Sequence, residues 1–394
     1  MKITVITNGC PENRIDGARM REFLSENGYQ IFDDYRQADI ILFNACGLTE
    51  DLQNLSIKIF HKLEATKKAS AEIVVYGCLS KINPERLRSI YKGHTFGSDD
   101  IQQVTSILEV ATDADQTHAN YLIPQTLINT TRLDPRNVFS PILIPKLIRK
   151  CRDPWKQPGA TIMTPNTYYI KISTGCLNAC SYCGVRLSRG KLRSKSAEQI
   201  ISEFEAGLKQ GYQEFALIGT DLGAYGRDRG TRLTALLREL IKYDGQYKIK
   251  LRNIQPRFLI EMMSDFIEIL PSGKIAYIGS AAESGNNRIL RQMNRGYKIE
   301  AYKNAVLSLK RIAPLLQINT QIMIGFPGET DADFDDTIRL LDEVPFDFVE
   351  VYIFQARPNT QAEKLGNPVP PQVAKRRFCK LYMKALFKEY KILW

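Results

Sequence analysis

Only three histidines occur in 394 residues, His61, His94 and His118, and none follows the cysteine-rich stretch that begins at Cys176. Any zinc site there lacks its customary nitrogen partner. Long uncharged apolar runs are missing as well. The N-terminal stretch MKITVITNGCPENR is too briefly apolar for a signal peptide, and no later run is long enough to cross a bilayer. The expected location is therefore cytoplasmic, with no membrane partner. Thiols are kept reduced there, so clustered cysteines read as metal ligands or catalytic groups before they read as disulfides.

What is present points to a globular chain of two or more domains, with 44% hydrophobic and 25% charged residues. A net charge of +11 and a pI near 9.1 favour a polyanionic partner, nucleic acid first. Two stretches concentrate the cations. Lys146, Arg149, Lys150, Arg152 and Lys156 form one; Lys375, Arg376, Arg377, Lys380, Lys384, Lys388 and Lys391 form the other. Each reads equally well as a solvated face or linker.

Six of the eight cysteines form two triads; Cys151 and Cys379 stand outside them and read as ordinary thiols. Cys176, Cys180 and Cys183 have the spacing CxxxCxxC within GCLNACSYC. Three thiolates on a four-iron cube leave one iron open to a small molecule. The other triad is dispersed. Apolar, β-branched runs at Ile3–Thr7, Ile40–Asn44 and Ile73–Tyr76 alternate with helical periodicity over Arg14–Asn27, Asp51–Glu64 and Pro84–Ile90, an α/β pattern with a parallel sheet. Cys10, Cys46 and Cys78 lie just beyond the three strands, at the carboxyl rim where open α/β sheets bind ligands, so they can converge on a second cluster. Taken singly, each also reads as a small apolar residue packed in a βα turn.

The sequence from Ala111 to about Thr167 is polar and proline-bearing, a linker longer than most intradomain loops. The rhythm then returns. Strands are expected at Tyr169–Ser173, Phe215–Ile218, Ile249–Asn253, Ile275–Ile278, Gln317–Ile324 and Phe348–Ile353, with helices over Glu198–Gln210, Leu233–Lys242 and Ile299–Arg311. Six parallel strands with crossover helices make a partial barrel whose active site lies at the strands' carboxyl ends.

The run GCLNACSYCGVRLSRGKLRS, with Arg189 and Gly190 after the cysteines, resembles the signature of the radical S-adenosylmethionine (SAM) methylthiotransferases. IGTDLGAYGRD (Ile218–Asp228), IMIGFPGET (Ile322–Thr330) and QARPNTQAEKL (Gln355–Leu365) are further matches. Cys10 with Asn13 and Asp16, the Asn44-Ala45-Cys46 turn and Gly77-Cys78 resemble the family's amino-terminal domain. The similarity is greatest to the branch that methylthiolates threonylcarbamoyladenosine beside the tRNA anticodon. It implies a flavodoxin-like parallel sheet domain over 1–110, a linker over 111–165, a radical SAM partial (β/α)6 barrel over 166–370, and a basic C-terminal helix over 371–394.

The resemblance also implies the chemistry. SAM would chelate the open iron of a [4Fe–4S] cluster on Cys176, Cys180 and Cys183 and yield a 5′-deoxyadenosyl radical that abstracts hydrogen from an unactivated carbon. A second [4Fe–4S] cluster on Cys10, Cys46 and Cys78 would hold the sulfur to be inserted and methylated. Tyr182 would contact the adenine of SAM through its backbone, Thr220 and Asp221 would meet its amino group, and Glu283 its ribose. Each also reads as a helix cap or polar strand-end residue. Gly325, Pro327 and Gly328 shape a tight turn. A low-potential electron donor such as flavodoxin or ferredoxin and a sulfur donor are implied partners.

The sequence departs from the family at Tyr277–Asn287 (YIGSAAESGNN) and at Gln321. The family pattern places a small RNA-gripping TRAM module after Leu365, and none is expected in the basic stretch that runs from there to Trp394. Three readings result. In the first, the substrate is tRNA, with the basic linker and C-terminal helix on the phosphates. In the second, it is a peptide or small metabolite in a reshaped pocket. In the third, the protein is a noncatalytic metal-binding redox sensor.

Overall fold

Short apolar runs near the N-terminus pair side by side, every one parallel. In this computed structural model, which describes residues 1–98, 100, 103–108, 166–387 and 391–393, they are β1 (Lys2–Thr7), β2 (Gln30–Ile31), β3 (Ile40–Asn44), β4 (Glu72–Tyr76) and β5 (Thr95–Phe96). Their order, β2-β1-β3-β4-β5, is the flavodoxin-like 2-1-3-4-5, with its reversal between β1 and β3. Because both faces of such a sheet are covered, the strands read as continuous apolar runs. Ile3, Val5, Leu42 and Val74 are buried on one side with Met20, Phe23 and Leu24 of the helix Pro11–Glu26. On the other side Ile41, Phe43, Ile73 and Val75 meet Phe60 and Leu63 of the helix Glu50–Thr66.

A second sheet carries β6 (Thr167–Lys171), β9 (Glu214–Ile218), β10 (Lys248–Leu251), β11 (Ile275–Gly279), β12 (Gln317–Ile324), β13 (Phe348–Ile353) and β14 (Lys391–Leu393). The order β14-β13-β12-β11-β10-β9-β6 is parallel throughout. A two-stranded antiparallel ribbon joins β7 (Ser173–Thr174), before the cysteine loop, to β8 (Arg193–Ser194), after the short helix Val185–Arg189. The core is dominated by aromatic and aliphatic packing. Phe215 of β9 lies 4.4 Å, centroid to centroid, from Phe204 and 5.6 Å from Tyr168. Among the described residues no helix is long and apolar enough to cross a membrane.

The chain divides into two compact units, Met1–Lys146 with Gly184–Lys191, and Leu147–Cys183 with Leu192–Trp394. A sequential division does not anticipate that Gly184–Lys191 belongs with the first. The expected linker, with Cys151, His118 and the first basic stretch, lies outside the described residues, as does Lys388. The expected C-terminal helix covers Pro371–Phe387 and then gives way to β14. Its cations are largely taken up by carboxylates. Arg377 is buried against Glu329 at 2.7 Å, Lys380 meets Asp335 at 2.7 Å, and Lys384 meets Asp342 at 2.6 Å. Glu329 also accepts from Gly325 N at 2.8 Å, closing the GFPGET turn.

Phe215→Ala removes a fully buried ring from a well-filled site, and a loss of about 3–5 kcal/mol is expected in urea unfolding of the apo chain. Glu22, half-buried and one turn from Glu26, has its carboxyl pushed up to about 7, first by burial and then by Glu26. An acid whose folded pKa is raised loses stability as pH climbs from its unfolded value near 4.5 to about 7. Glu22→Gln is therefore expected to raise the thermal midpoint at pH 8 and to change it little at pH 4.

Candidate functional sites

In the first unit, sheet register does the gathering. Thr7 pairs with Asn44, and Asn44 with Tyr76, so β1, β3 and β4 end level. Cys10, Cys46 and Cys78 follow those ends by three, two and two residues, beside the strand-order reversal where such folds hold ligands. Two glycines permit the approach. Gly9 has φ +100°, and a Cβ there would stand 2.5 Å from Cys46 Sγ; Gly77 has φ +99°, and a Cβ there would collide with Asn44 Oδ1. An asparagine framework fixes the loops. Asn8 Oδ1 accepts from Cys46 N at 2.9 Å, Asn13 Nδ2 donates to Asn8 O at 2.9 Å, and Asn44 Nδ2 donates to Asn13 O at 2.9 Å.

The three thiols are free; Cys46 and Cys78 are buried and Cys10 is half-buried. Burial pushes Cys10 up to about 11, while Arg189 pulls it down and Cys78 and Glu12 push it up further. Cys46 is pushed up by burial and by both neighbouring thiols. Without a bound cation Cys10 and Cys46 hold their protons; a metal centre would displace them.

In the second unit the loop Cys176–Cys183 follows β7, at the carboxyl rim of the curved sheet. Asn178 donates to Cys176 Sγ twice, from its backbone N at 3.3 Å and from Nδ2 at 3.2 Å. Arg295 Nη1 donates to Cys180 Sγ at 3.4 Å. N–H donors on cysteine sulfur are a recognised influence on iron–sulfur potentials. The loop is tied down by Ser181 N to Met293 O at 3.0 Å and Ala362 N to Ser181 O at 2.8 Å. Buried Asn178 Oδ1 and Ser181 Oγ have no hydrogen-bond partner among the described residues. Three thiols, donors aimed at two sulfurs and unsatisfied polar atoms in the same loop suit an iron–sulfur group with a polar co-ligand. Among the described residues no three His, Cys, Asp or Glu side chains close on one point tightly enough for a single metal ion.

Tyr182, Thr220, Asp221 and Glu283, the residues the resemblance assigns to SAM, lie at this rim. Thr220 Oγ1 accepts from Gly175 N at 3.2 Å. Asp221 accepts from Gly223 N at 3.1 Å, Gln255 N at 3.2 Å and Asn178 Nδ2 at 2.5 Å, and its carboxylate reaches Cys176 Sγ at 4.0 Å. Burial raises the Asp221 carboxyl despite these donors. Tyr182 OH donates to Glu283 Oε1 at 2.9 Å and accepts from Arg295 at 3.2 Å. Glu283 holds φ +68°, a left-handed conformation that costs a non-glycine residue on the order of 1–3 kcal/mol and clusters at functional sites. Backbone bonds to Gln321 O and from Met323 N, both 2.8 Å, hold it there. Arg295 and Asn178 are the residues the sequence reading missed. A single Arg in an NRG run carries no signature, and its neighbours Cys180, Tyr182 and Glu283 come from distant loops.

Beside this constellation, Arg252, Asn253, Tyr277, Asn319, Gln321 and Glu350 line a small polar cavity. Glu350 accepts from Asn319 Nδ2 at 2.8 Å, Gln321 Nε2 at 3.1 Å and Tyr352 OH at 2.5 Å. Tyr277 and Gln321, two points of departure from the family pattern, therefore share one pocket.

A parallel sheet with a three-cysteine loop at its carboxyl rim defines a radical SAM protein. Residues 170–341 match the Radical SAM superfamily, and residues 2–97 match a family described as "Uncharacterized protein family UPF0004". The chain is 30% identical over its full length to 85% of a "Probable threonylcarbamoyladenosine tRNA methylthiotransferase" of Pyrococcus abyssi. It is 29% identical over 97% of its length to 81% of the threonylcarbamoyladenosine tRNA methylthiotransferase MtaB of Thermotoga maritima. It is also 30% identical over 96% of its length to 81% of the ribosomal protein uS12 methylthiotransferase RimO of a Thermotoga species. Among solved structures, the radical SAM methyltransferase TsrM of Kitasatospora setae shares the fold, with TM-score 0.63 and 12% identity over 92% of this chain and 74% of that one. The chain belongs to the radical SAM methylthiotransferase family and is an enzyme of that kind. Membership implies SAM and a [4Fe–4S] cluster as its cofactors.

Asp221→Ala leaves three donors without their acceptor, each costing about 1–3 kcal/mol when buried. The apo protein is expected to unfold at lower urea, with faster hydrogen exchange at Gly223 and Gln255 than in the parent.

Proposed function

We propose that the enzyme inserts sulfur into a tRNA adenosine derivative, N6-threonylcarbamoyladenosine beside the anticodon, and converts a C–H bond to C–S–CH3 with two [4Fe–4S] clusters. The observation that carries this reading is the full-length similarity to tRNA methylthiotransferases of that specificity. The convergence of Cys10, Cys46 and Cys78 on one rim supports the second cluster.

Cys176, Cys180 and Cys183 would hold the SAM cluster, and Cys10, Cys46 and Cys78 the sulfur-bearing one. Bound together, SAM and its cluster supply a radical able to take hydrogen from an unactivated carbon. Asn178 and Arg295 donate to the sulfurs of the first of these sites and hold its loop in place. Asp221, fixed by two backbone N–H groups, offers SAM an anchored carboxylate, with Thr220 beside it. Glu283, set by Tyr182 and Arg295, offers a second carboxylate at the same rim. The small cavity between Arg252 and Glu350 would offer hydrogen-bonding groups at this rim. A low-potential donor such as flavodoxin or ferredoxin and a sulfur donor complete the cycle.

A second reading has one specific observation behind it, the equal identity to a uS12 methylthiotransferase, which favours a peptide substrate. Nucleoside mass spectrometry of tRNA from cells with and without the gene separates the two. Loss of methylthio-threonylcarbamoyladenosine on deletion, restored by the gene, is the expected outcome. An unchanged tRNA profile with loss of a methylthio group from uS12 would instead select the peptide.

A further inference from the structure

Arg189 is the largest fully buried side chain among the described residues, at 1% exposure. Its helix, Val185–Arg189, begins two residues after Cys183 yet belongs to the compact unit of β1–β5. There it packs on the short helix Cys78–Ile82. A Cβ on Gly184 would lie 3.3 Å from Ile82, and Ser98 Oγ, which donates to Ser188 O at 3.1 Å, stands 3.8 Å from Cys78 Sγ. The guanidinium forms an ion pair with Asp16, lies 3.7 Å from Glu12 Oε1, and donates to Asn13 Oδ1 at 3.2 Å. Asn13 Oδ1 in turn lies 3.9 Å from Cys78 Sγ.

A buried guanidinium is costly to desolvate and persists only where anions surround it. Two carboxylates already outnumber it. Three thiolates at the adjoining strand ends would add to the excess, and Arg189 is the cation among the groups acting on Cys10. Each electron added to a cluster there increases the negative charge, and a fixed cation nearby favours the reduced state.

We propose that Arg189 is a positioning and charge-compensating residue of the first cysteine triad, carried into that unit by the six residues that follow Cys183. Through Asp16 and Asn13 it orients the wall beside Cys78, and its charge raises the reduction potential of a cluster on Cys10, Cys46 and Cys78. The inference rests on the two-cluster reading above.

The test uses the full chain with Cys176, Cys180 and Cys183 changed to Ala, reconstituted anaerobically with iron and sulfide, so that one cluster remains. Iron content, circular dichroism and an EPR-monitored redox titration are read for this parent and for Arg189→Gln, Arg189→Lys and Glu12→Gln. Arg189→Gln is expected to shift the midpoint to more negative values, Arg189→Lys to recover most of the shift, and Glu12→Gln to move it the opposite way. Glu12→Gln keeps the Arg189–Asp16 pair and so decides the matter should Arg189→Gln not fold. Midpoints and spectra unchanged in Arg189→Gln and Glu12→Gln overturn the role of Arg189 alone. A parent that binds no cluster overturns the two-cluster reading, and this inference with it.

Discussion

Parallel pairing in register is the constraint on which both sites depend. When neighbouring strands run the same way, every chain segment leaving the sheet does so at the same rim, and residues far apart in sequence are delivered to it together. Thr7, Asn44 and Tyr76 finish level, so three cysteines separated by 36 and 32 positions need only short loops to share one neighbourhood. The second sheet repeats the arrangement with the cysteine loop, Thr220, Asp221 and Glu283. The helices contribute the crossover that parallel pairing requires, and in the first sheet they cover both faces.

Within that constraint, polar chemistry is supplied by buried hydrogen-bond networks, one at each rim. Asn8, Asn13 and Asn44 tie one rim; Asn178, Asp221, Tyr182, Glu283 and Arg295 tie the other. Such networks are stiff because each member's alternative is an unsatisfied group in a low dielectric. The stiffness keeps both cysteine-bearing rims in one arrangement. Glu283 shows the same principle in the backbone, where two hydrogen bonds retain a conformation that the residue alone would avoid.

Much of this was legible in the sequence, and the remainder was hidden for physical reasons. Ile40–Asn44, Gln317–Ile324 and Phe348–Ile353 agree to the residue, each being rich in β-branched or aromatic residues that favour an extended chain. β2 and β5 are two residues long, below any periodicity. The helix Asp331–Glu343 was missed because its first turns are crowded with aspartates; they serve as a capping box and as partners for the basic C-terminal helix. The cysteines were readable because spacing and strand-end position are sequence properties. Arg295 and Asn178 were not, since their meaning lies in distant neighbours. Arg189 was visible only as part of an Arg-Gly pair, while its partner Asp16 stands 173 positions earlier.

The return of Gly184–Lys191 to the first unit also bears on how the protein is made. Synthesis runs from the N-terminus, so β1 to β5 emerge long before residue 189. Until then Asp16 and Glu12 lack the cation that pairs with them in the folded unit. The last piece of the earliest unit is thus supplied only after the second set of cysteines has been made. The order of translation itself delays completion of that unit until Cys176, Cys180 and Cys183 exist.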